Sequence, residues 1–295
     1  MLACSLSLPL LIAPLGTPPV EVRLTPAVQT VPKGCIAEVD AVLSSSAPQL
    51  VAAVEVLISW DPSRLQLIQA LPSNEGWLVA AFLGDPDGIN DDVTDGQALF
   101  TALANPALGL TLPPDRTVAT FQFKALDSGT VALLPSLGAF AETRVIGALP
   151  GLELPVSLSA PAVVIAQNVP SLEVVRLGTP PNPNALLPGQ TSGPVIGAIW
   201  DPVVDHTSFF PGALVDLIGI SAAPAPMDLP SVFGTFLIDI ANPFLLFSTP
   251  AGQPFQLAVN FNCALVGRQA FAQAASLDAV DVLLTNALDL TVGTF

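Results

Sequence analysis

"AAVEVLISW", residues 52–60, alternates along its length: Val54, Val56, Ile58 and Trp60 fall on one side of an extended chain, Glu55 and Ser59 on the other. A period of two is that of a β-strand with one buried face, because successive side chains point to opposite sides of the pleat. Two neighbours repeat it. "CIAEVDAVL", 35–43, sets Ala37, Val39, Ala41 and Leu43 against Glu38 and Asp40. "TVATFQFKAL", 117–126, sets Ala119, Phe121 and Phe123 against Thr120, Gln122 and Lys124. Shorter strands are expected at 20–24, 65–70, 78–82, 98–103, 130–134 and 161–165. Beyond them, "GTFLIDI", "FQLAVNF" and "ALDLTVGTF" read as strands of a second region. "VGRQAFAQAASLDAVDVLL" is alanine-rich enough for a helix, but its surroundings favour a strand.

Composition points the same way. Of the 295 residues, 51% are hydrophobic and only 11% charged, yet 31 prolines and 21 glycines break every apolar run well short of a membrane span. Many short apolar runs between frequent breakers indicate an all-β chain of antiparallel β-sandwiches, of Greek-key or jelly-roll type. Three parts are expected: an apolar segment at 1–19, a sandwich at 20–168 and a second sandwich at 169–295. The loop-rich "LGTPPNPNALLPGQTSGP" opens the last part. No internal repeat of fixed period is present.

The formal charge is −16, with eight Lys and Arg against 24 Asp and Glu. Nucleic-acid binding requires clustered positive charge to displace counterions, so that class is excluded, and an anionic membrane surface is disfavoured for the same reason. The three cysteines, Cys4, Cys35 and Cys263, form no CxxC pair. Cys35 and Cys263 read as small buried apolar residues, with a bridge between them the alternative, and their number does not fix the redox compartment. "MLACSLSLPLLIAPLGTPP" has an apolar centre like that of an export signal but no basic residue before Arg23. It reads either as an apolar arm or as a signal remnant.

The order of these strands resembles the cohesin domain and its relatives in the carbohydrate-binding-module superfamily, over residues 20–165. Cohesins carry a strand closed by an aromatic-Asp-Pro turn and a leucine, here Trp60, Asp61, Pro62 and Leu65. They also carry a late strand of the form found at Ala119, Phe121, Phe123 and Lys124, followed by a turn with Gly129. The resemblance implies a nine-stranded sandwich that binds and does not catalyse, one sheet face engaging a dockerin-type protein partner or a polysaccharide. Cohesin strands bear exposed tyrosines, and this chain has none. Residues 172–295 resemble a C-terminal module of uncharacterised secreted bacterial proteins, on "LGTPPNPN", "GPVIGAIWDP", "LVGRQAFAQAASLD" and "LTNALDLTVGTF". Together these imply a secreted or cell-surface location. A purely structural surface protein without a discrete ligand is the alternative.

"GDPDGINDDVTDGQALF", 84–100, concentrates five of the chain's carboxylates, Asp85, Asp87, Asp91, Asp92 and Asp95. An EF-hand loop fails at its fifth, sixth and twelfth positions, Ile89, Asn90 and Gly96. A calcium loop of another kind would draw on Asp85, Asp87 and Asp91; the simpler reading is a turn, because "DPDG" and "TDG" are strong turn formers. Catalytic acids would need two carboxylates held across a cleft by rigid elements, which neighbours in one polar loop are not. The single histidine, His206, has Asp201, Asp205 and Ser208 nearby in sequence but no G-x-S-x-G elbow. One histidine and no paired cysteines also make a transition-metal site poor, and no nucleotide-binding glycine motif is present. No cofactor is expected apart from the calcium alternative, and no enzymatic activity. Rings that could meet a sugar or a protein partner are Trp77, Trp200 and the pair Phe209 and Phe210, with Trp77 the ring expected to be most exposed and Trp60 buried.

Overall fold

The computed structural model describes residues 18–83, 95–105, 109–139, 141–149, 152–241 and 244–295. Among them every extended element is a strand and the one helical element is a 3-10 turn at Cys263–Leu265. The chain divides into two compact units. The first holds residues up to Val31 and Ile36–Ala166; the second holds Pro32–Cys35 and Gln167–Phe295.

The first half of the chain forms β1 (Val20–Thr25), β2 (Val28–Pro32), β3 (Ile36–Ser44), β4 (Gln49–Trp60), β5 (Leu65–Pro72), β6 (Trp77–Leu83), β7 (Gln97–Ala104) and β8 (Leu110–Leu112). It continues with β9 (Arg116–Ala125), β10 (Gly129–Leu133), β11 (Ser136–Leu137), β12 (Ala141–Glu142), β13 (Arg144–Gly147), β14 (Glu153–Leu154), β15 (Val156–Leu158) and β16 (Ala162–Gln167). One sheet runs β15-β1-β3-β9-β5 and the other β14-β13-β4-β10-β16-β2, with β7 and β8 on the far edge of β4 and β6 outside β7. The registered pairings are antiparallel except β1 with β15, which is parallel. β2 lies along β16 in the same direction, with Val163 N donating to Ala27 O and Lys33 N to Gln167 O.

The alternation read from the sequence builds this core. Ala37, Val39, Ala41 and Leu43 of β3 meet Val54, Val56, Ile58 and Trp60 of β4, and Ala119, Phe121 and Phe123 of β9 complete the layer; all are buried in one cluster. Trp60 packs edge-on to Phe123 at 5.4 Å, and Phe100 to Phe121 at 6.0 Å. Each large side chain buried this way contributes about 1.5–3 kcal/mol of transfer free energy. Leu57 breaks the pattern outward and is covered on the far side of β4 by Leu134, Leu137 and Ala141 of the excursion around β11 and β12. Asp95 and Gly96 of the "TDG" stretch turn into β7. Asp95 accepts the backbone N–H of Gln97 at 2.9 Å. Gly96 has φ +79°, and a Cβ there would lie 2.2 Å from the Trp60 carbonyl oxygen.

The second half contributes β17 (Leu172–Arg176), β18 (Leu186–Leu187), β19 (Ile199–Trp200), β20 (Val203–Val204), β21 (Val215–Ser221), β22 (Pro224–Ser231) and β23 (Gly234–Ile238). It ends with β24 (Phe244–Pro250), β25 (Leu257–Ala258), β26 (Gln269–Leu277) and β27 (Val282–Thr291). A five-stranded antiparallel sheet, β17-β27-β26-β21-β24, is its backbone; the ribbons β18–β20, β19–β25 and β22–β23 are separate from it. The alanine-rich segment is the strand β26, as context favoured. "FQLAVNF" is strand only at Leu257–Ala258, since Phe255 turns into the core instead of continuing a ladder.

β23 pairs with β22 alone, so its inner backbone groups need other partners. Buried amides supply them. Asn182 accepts from Thr235 N and donates to the carbonyls of Thr235 and Thr285, while Gln273 accepts from Leu237 N and donates to the same two carbonyls. Asn286 likewise bonds both the N–H and the carbonyl of Leu186.

Cys35 and Cys263 form a disulfide with a sequence separation of 228. This replaces the reading of both as unbridged apolar residues. Pro32–Cys35 belongs to the second unit, so the bond ties the turn between β2 and β3 to the 3-10 turn within that unit. Sequence distance hid the pairing, because loops of any length can close.

Candidate binding surface

The outward face of the sheet β15-β1-β3-β9-β5 is a row of polar side chains fixed by strand register. Glu38 lies opposite Gln122 and Asp40 opposite Thr120. Gln122 donates to Glu38 at 2.8 Å, Thr120 to Asp40 at 2.5 Å, and Gln69 of β5 to Gln122 at 2.6 Å. Gln29 adds a bond to the Glu38 carbonyl at 2.8 Å. Around this ladder stand the exposed apolar residues Ile36, Ile68 and Leu71. The side chains are held by one another before any partner arrives, which reduces the entropy lost on binding. The other sheet's outward face differs, because the β11–β12 excursion occupies part of it.

A second concave surface lies in the second unit. A cavity of about 440 Å³ is lined by Pro180–Ala185, by Asp205 and Ser208–Phe210, and by the hairpin tip Ser231–Thr235. Its aromatic wall hangs from His206. The ring nitrogen Nδ1 faces the carbonyls of Phe209 at 2.8 Å and Phe210 at 3.1 Å, and Nε2 faces both oxygens of Asp216 at 3.0 and 3.1 Å. Both nitrogens face acceptors, an arrangement that suits a ring carrying protons on both. Burial works against the charge, but the Asp216 carboxylate and the two carbonyls outweigh it and raise the histidine above its ordinary pKa. Asp216 is fully buried and accepts also from Ser276 Oγ at 2.5 Å and Gly252 N at 2.8 Å. Curling two carbonyls onto one nitrogen takes Phe210 to φ +47°, a left-handed conformation rare for an aromatic residue.

The residues singled out in the sequence scatter. Trp77 is buried, 6% exposed, in the first core, in contrast to its expected exposure. The turn at Gly76, φ +88°, sends the ring inward at the start of β6. Trp200 is also buried, 2% exposed, with its indole N–H donated to Glu173 at 2.7 Å. Neither ring is presented flat to solvent. Phe209 is buried and Phe210 half-buried in the wall of this cavity, while Trp200 borders a separate cavity of about 470 Å³. Asp85, Asp87 and Asp91 lie outside the described residues. Among the described residues no group of three or more His, Cys, Asp or Glu converges as metal ligands would. The partner of His206 was not legible: it is Asp216 of β21, itself held by Ser276 of β26, and not the neighbouring Asp201, Asp205 or Ser208.

No family model matches the chain, and no curated protein gives a significant match. Among solved structures the chain is similar to cohesin modules. The sixth cohesin of scaffoldin B from Acetivibrio cellulolyticus, solved in complex with a dockerin, has 9% identity and a TM-score of 0.38 over 50% of this chain and 99% of that one. A type I cohesin from Clostridium thermocellum, also solved with its dockerin, has 13% identity and a TM-score of 0.37 over 50% and 99%. The cohesin module of a family 33 glycoside hydrolase from Clostridium perfringens has 13% identity and a TM-score of 0.38 over 51% and 100%.

Proposed function

We propose that this chain is a non-catalytic binding protein of the extracellular space or cell surface, whose first sandwich engages a protein partner of the dockerin type through the open face of β15-β1-β3-β9-β5. The observation that carries the reading is the pre-arranged polar ladder of Glu38, Asp40, Gln69, Thr120 and Gln122 within an apolar rim. A face that sets fixed hydrogen-bonding groups beside exposed aliphatics suits a protein interface, which combines direct hydrogen bonds with apolar contact. The sequence resemblance of residues 20–165 to cohesins supports the same class. A polysaccharide is the weaker partner, because Trp77 and Trp200 are both buried. Export is supported by the Cys35–Cys263 disulfide, a bond that persists in oxidising compartments. No helix among the described residues is long and apolar enough to cross a membrane.

The test is binding of the full chain to a panel of dockerin modules by biolayer interferometry, with a glycan array in parallel. The reading predicts a protein binder whose affinity falls at least about tenfold, or about 1.4 kcal/mol, in the double variant Glu38→Ala, Gln122→Ala. Binding to glycans alone, or dockerin binding unchanged by the double variant, would contradict it.

A further inference from the structure

We propose that β24 is the docking strand for a second copy of this chain, the two strands pairing antiparallel so that the five-stranded sheets of two molecules join edge to edge. The inference concerns the second unit and does not rest on the partner assigned to the first. β24 is last in its sheet. It pairs with β21 alone, in unbroken register from Val215 opposite Pro250 to Ser221 opposite Phe244. Its outer row of backbone groups has no strand partner among the described residues. Phe244, Leu245, Leu246 and Phe247 are 41, 61, 58 and 40% exposed, so successive side chains leave both faces of the strand open.

On one face Leu245 and Phe247 border a cavity of about 470 Å³ with Trp200, Leu257 and Leu290. On the other, Phe244 and Leu246 border one of about 150 Å³ with Leu217 and Ile238. No charged side chain lines either. Soluble proteins blunt such an edge with charge, a bulge or an interior proline. The opposite edge of the same sheet does so: β17 carries Glu173 and Arg176, the latter ion-paired with Asp289 at 3.0 Å. β24 has no charged residue and no bulge, and its proline is its last residue.

Charge selects the occupant. The chain carries −16, so two copies repel wherever their acidic surfaces meet. Between Asp239 and Arg268 there is no charged residue at all, and β24 lies within that tract. A basic peptide would find no carboxylate there, whereas a second neutral strand buries nothing ionised. A two-fold axis normal to the sheet at Leu246 keeps paired side chains on matching faces. It places Leu246 opposite itself, Leu245 opposite Phe247 and Phe244 opposite Ser248.

Sedimentation velocity on the full chain, over a concentration series at low and high salt, tests this. The wild type is expected to form a dimer that tightens with salt, as residual repulsion is screened. Leu246→Lys sets two ammonium groups face to face and is expected to weaken the dimer at least about tenfold. Leu246 is exposed, so the fold should survive, as circular dichroism would verify; Phe247→Glu serves as the second variant. Val232→Lys, on a hairpin-tip residue that is 90% exposed, should leave the dimer intact. A wild type that stays monomeric up to about 100 µM, a dimer weakened by salt, or a dimer untouched by both β24 variants would overturn the proposal.

Discussion

The two halves of this protein bury different things. Of the ten buried polar residues among those described, only Thr143 lies in the first unit; Asn182, Asp201, Asp216, Ser221, Thr235, Gln273, Ser276, Thr285 and Asn286 lie in the second. The first unit closes two sheets over a continuous apolar core and needs little else. The second has one real sheet and must attach loops and short ribbons to it, and loops bring backbone groups that apolar packing cannot satisfy. Side-chain amides and carboxylates do that work.

The same tripeptide shows the contrast most sharply. In Trp60-Asp61-Pro62 the aspartate acts locally, accepting Ser63 N at 2.9 Å and Ser63 Oγ at 2.6 Å at an exposed turn. In Trp200-Asp201-Pro202 it is 5% exposed and reaches back to Thr191 N, Thr191 Oγ and Ser192 N. Among the described residues the indole of Trp60 has no hydrogen-bond partner, whereas that of Trp200 bonds Glu173. A motif fixes a turn; the surrounding chain decides what the turn holds.

If this contrast is right, the second unit should be the more sensitive to loss of a single polar group. Removing the carboxylate of Asp216 leaves His206 Nε2, Ser276 Oγ and Gly252 N without their acceptor, so Asp216→Ala should cost about 3–5 kcal/mol in chemical denaturation. Reduction of the Cys35–Cys263 bond should cost the second unit about 2–4 kcal/mol, seen as a lowered melting transition in dithiothreitol and in Cys263→Ser. Asp201→Ala should cost about 2–3 kcal/mol, because several buried donors lose their acceptor. Asp61→Ala should shift the transition much less, and equal losses for the two aspartates would break the comparison.

The smallest expected effect is one of pH. The His206 pKa is raised in the folded state, so its contribution is complete below the unfolded value near about 6.5 and fades as pH climbs through the folded pKa. The second unit should therefore lose stability on going from mildly acidic to alkaline solution, and His206→Gln should flatten that dependence. Asp201 runs the other way. Burial opposes its charge, but bonds from Thr191, Ser192 and Gln190 hold its pKa below the usual carboxylate value, so its contribution is present above the unfolded pKa near about 3.9 and is lost on acidification.

What could be read from the sequence follows the same division. β3, β4 and β9 alternate because one face of each packs on apolar neighbours, and every residue read as inward is buried, although Val42, Leu57 and Val118 are buried as well. In β26, Gln273 is buried between the buried Ala272 and Ala274, and in β21 Asp216 is buried outright, so polarity no longer marks the outer face. β24 shows the converse, an apolar run exposed on both sides, and no period-two signal marked it. Of the candidate rings, Phe209 and Phe210 reached a concave surface. Trp200 borders another cavity although it is 2% exposed, and Trp77 is packed in the first core, because a tryptophan after a polar turn can be rotated inward by the turn itself.

The disulfide also has a temporal meaning. Cys35 leaves the ribosome early, and its partner follows only after a further 228 positions have been made. Until then the thiol has nothing native to join, however well the surrounding strands have formed. Oxidation thus becomes a late event that stamps a finished second unit, and a chain truncated before residue 263 would carry Cys35 as an unsealed thiol, open to alkylation or to capture by another cysteine.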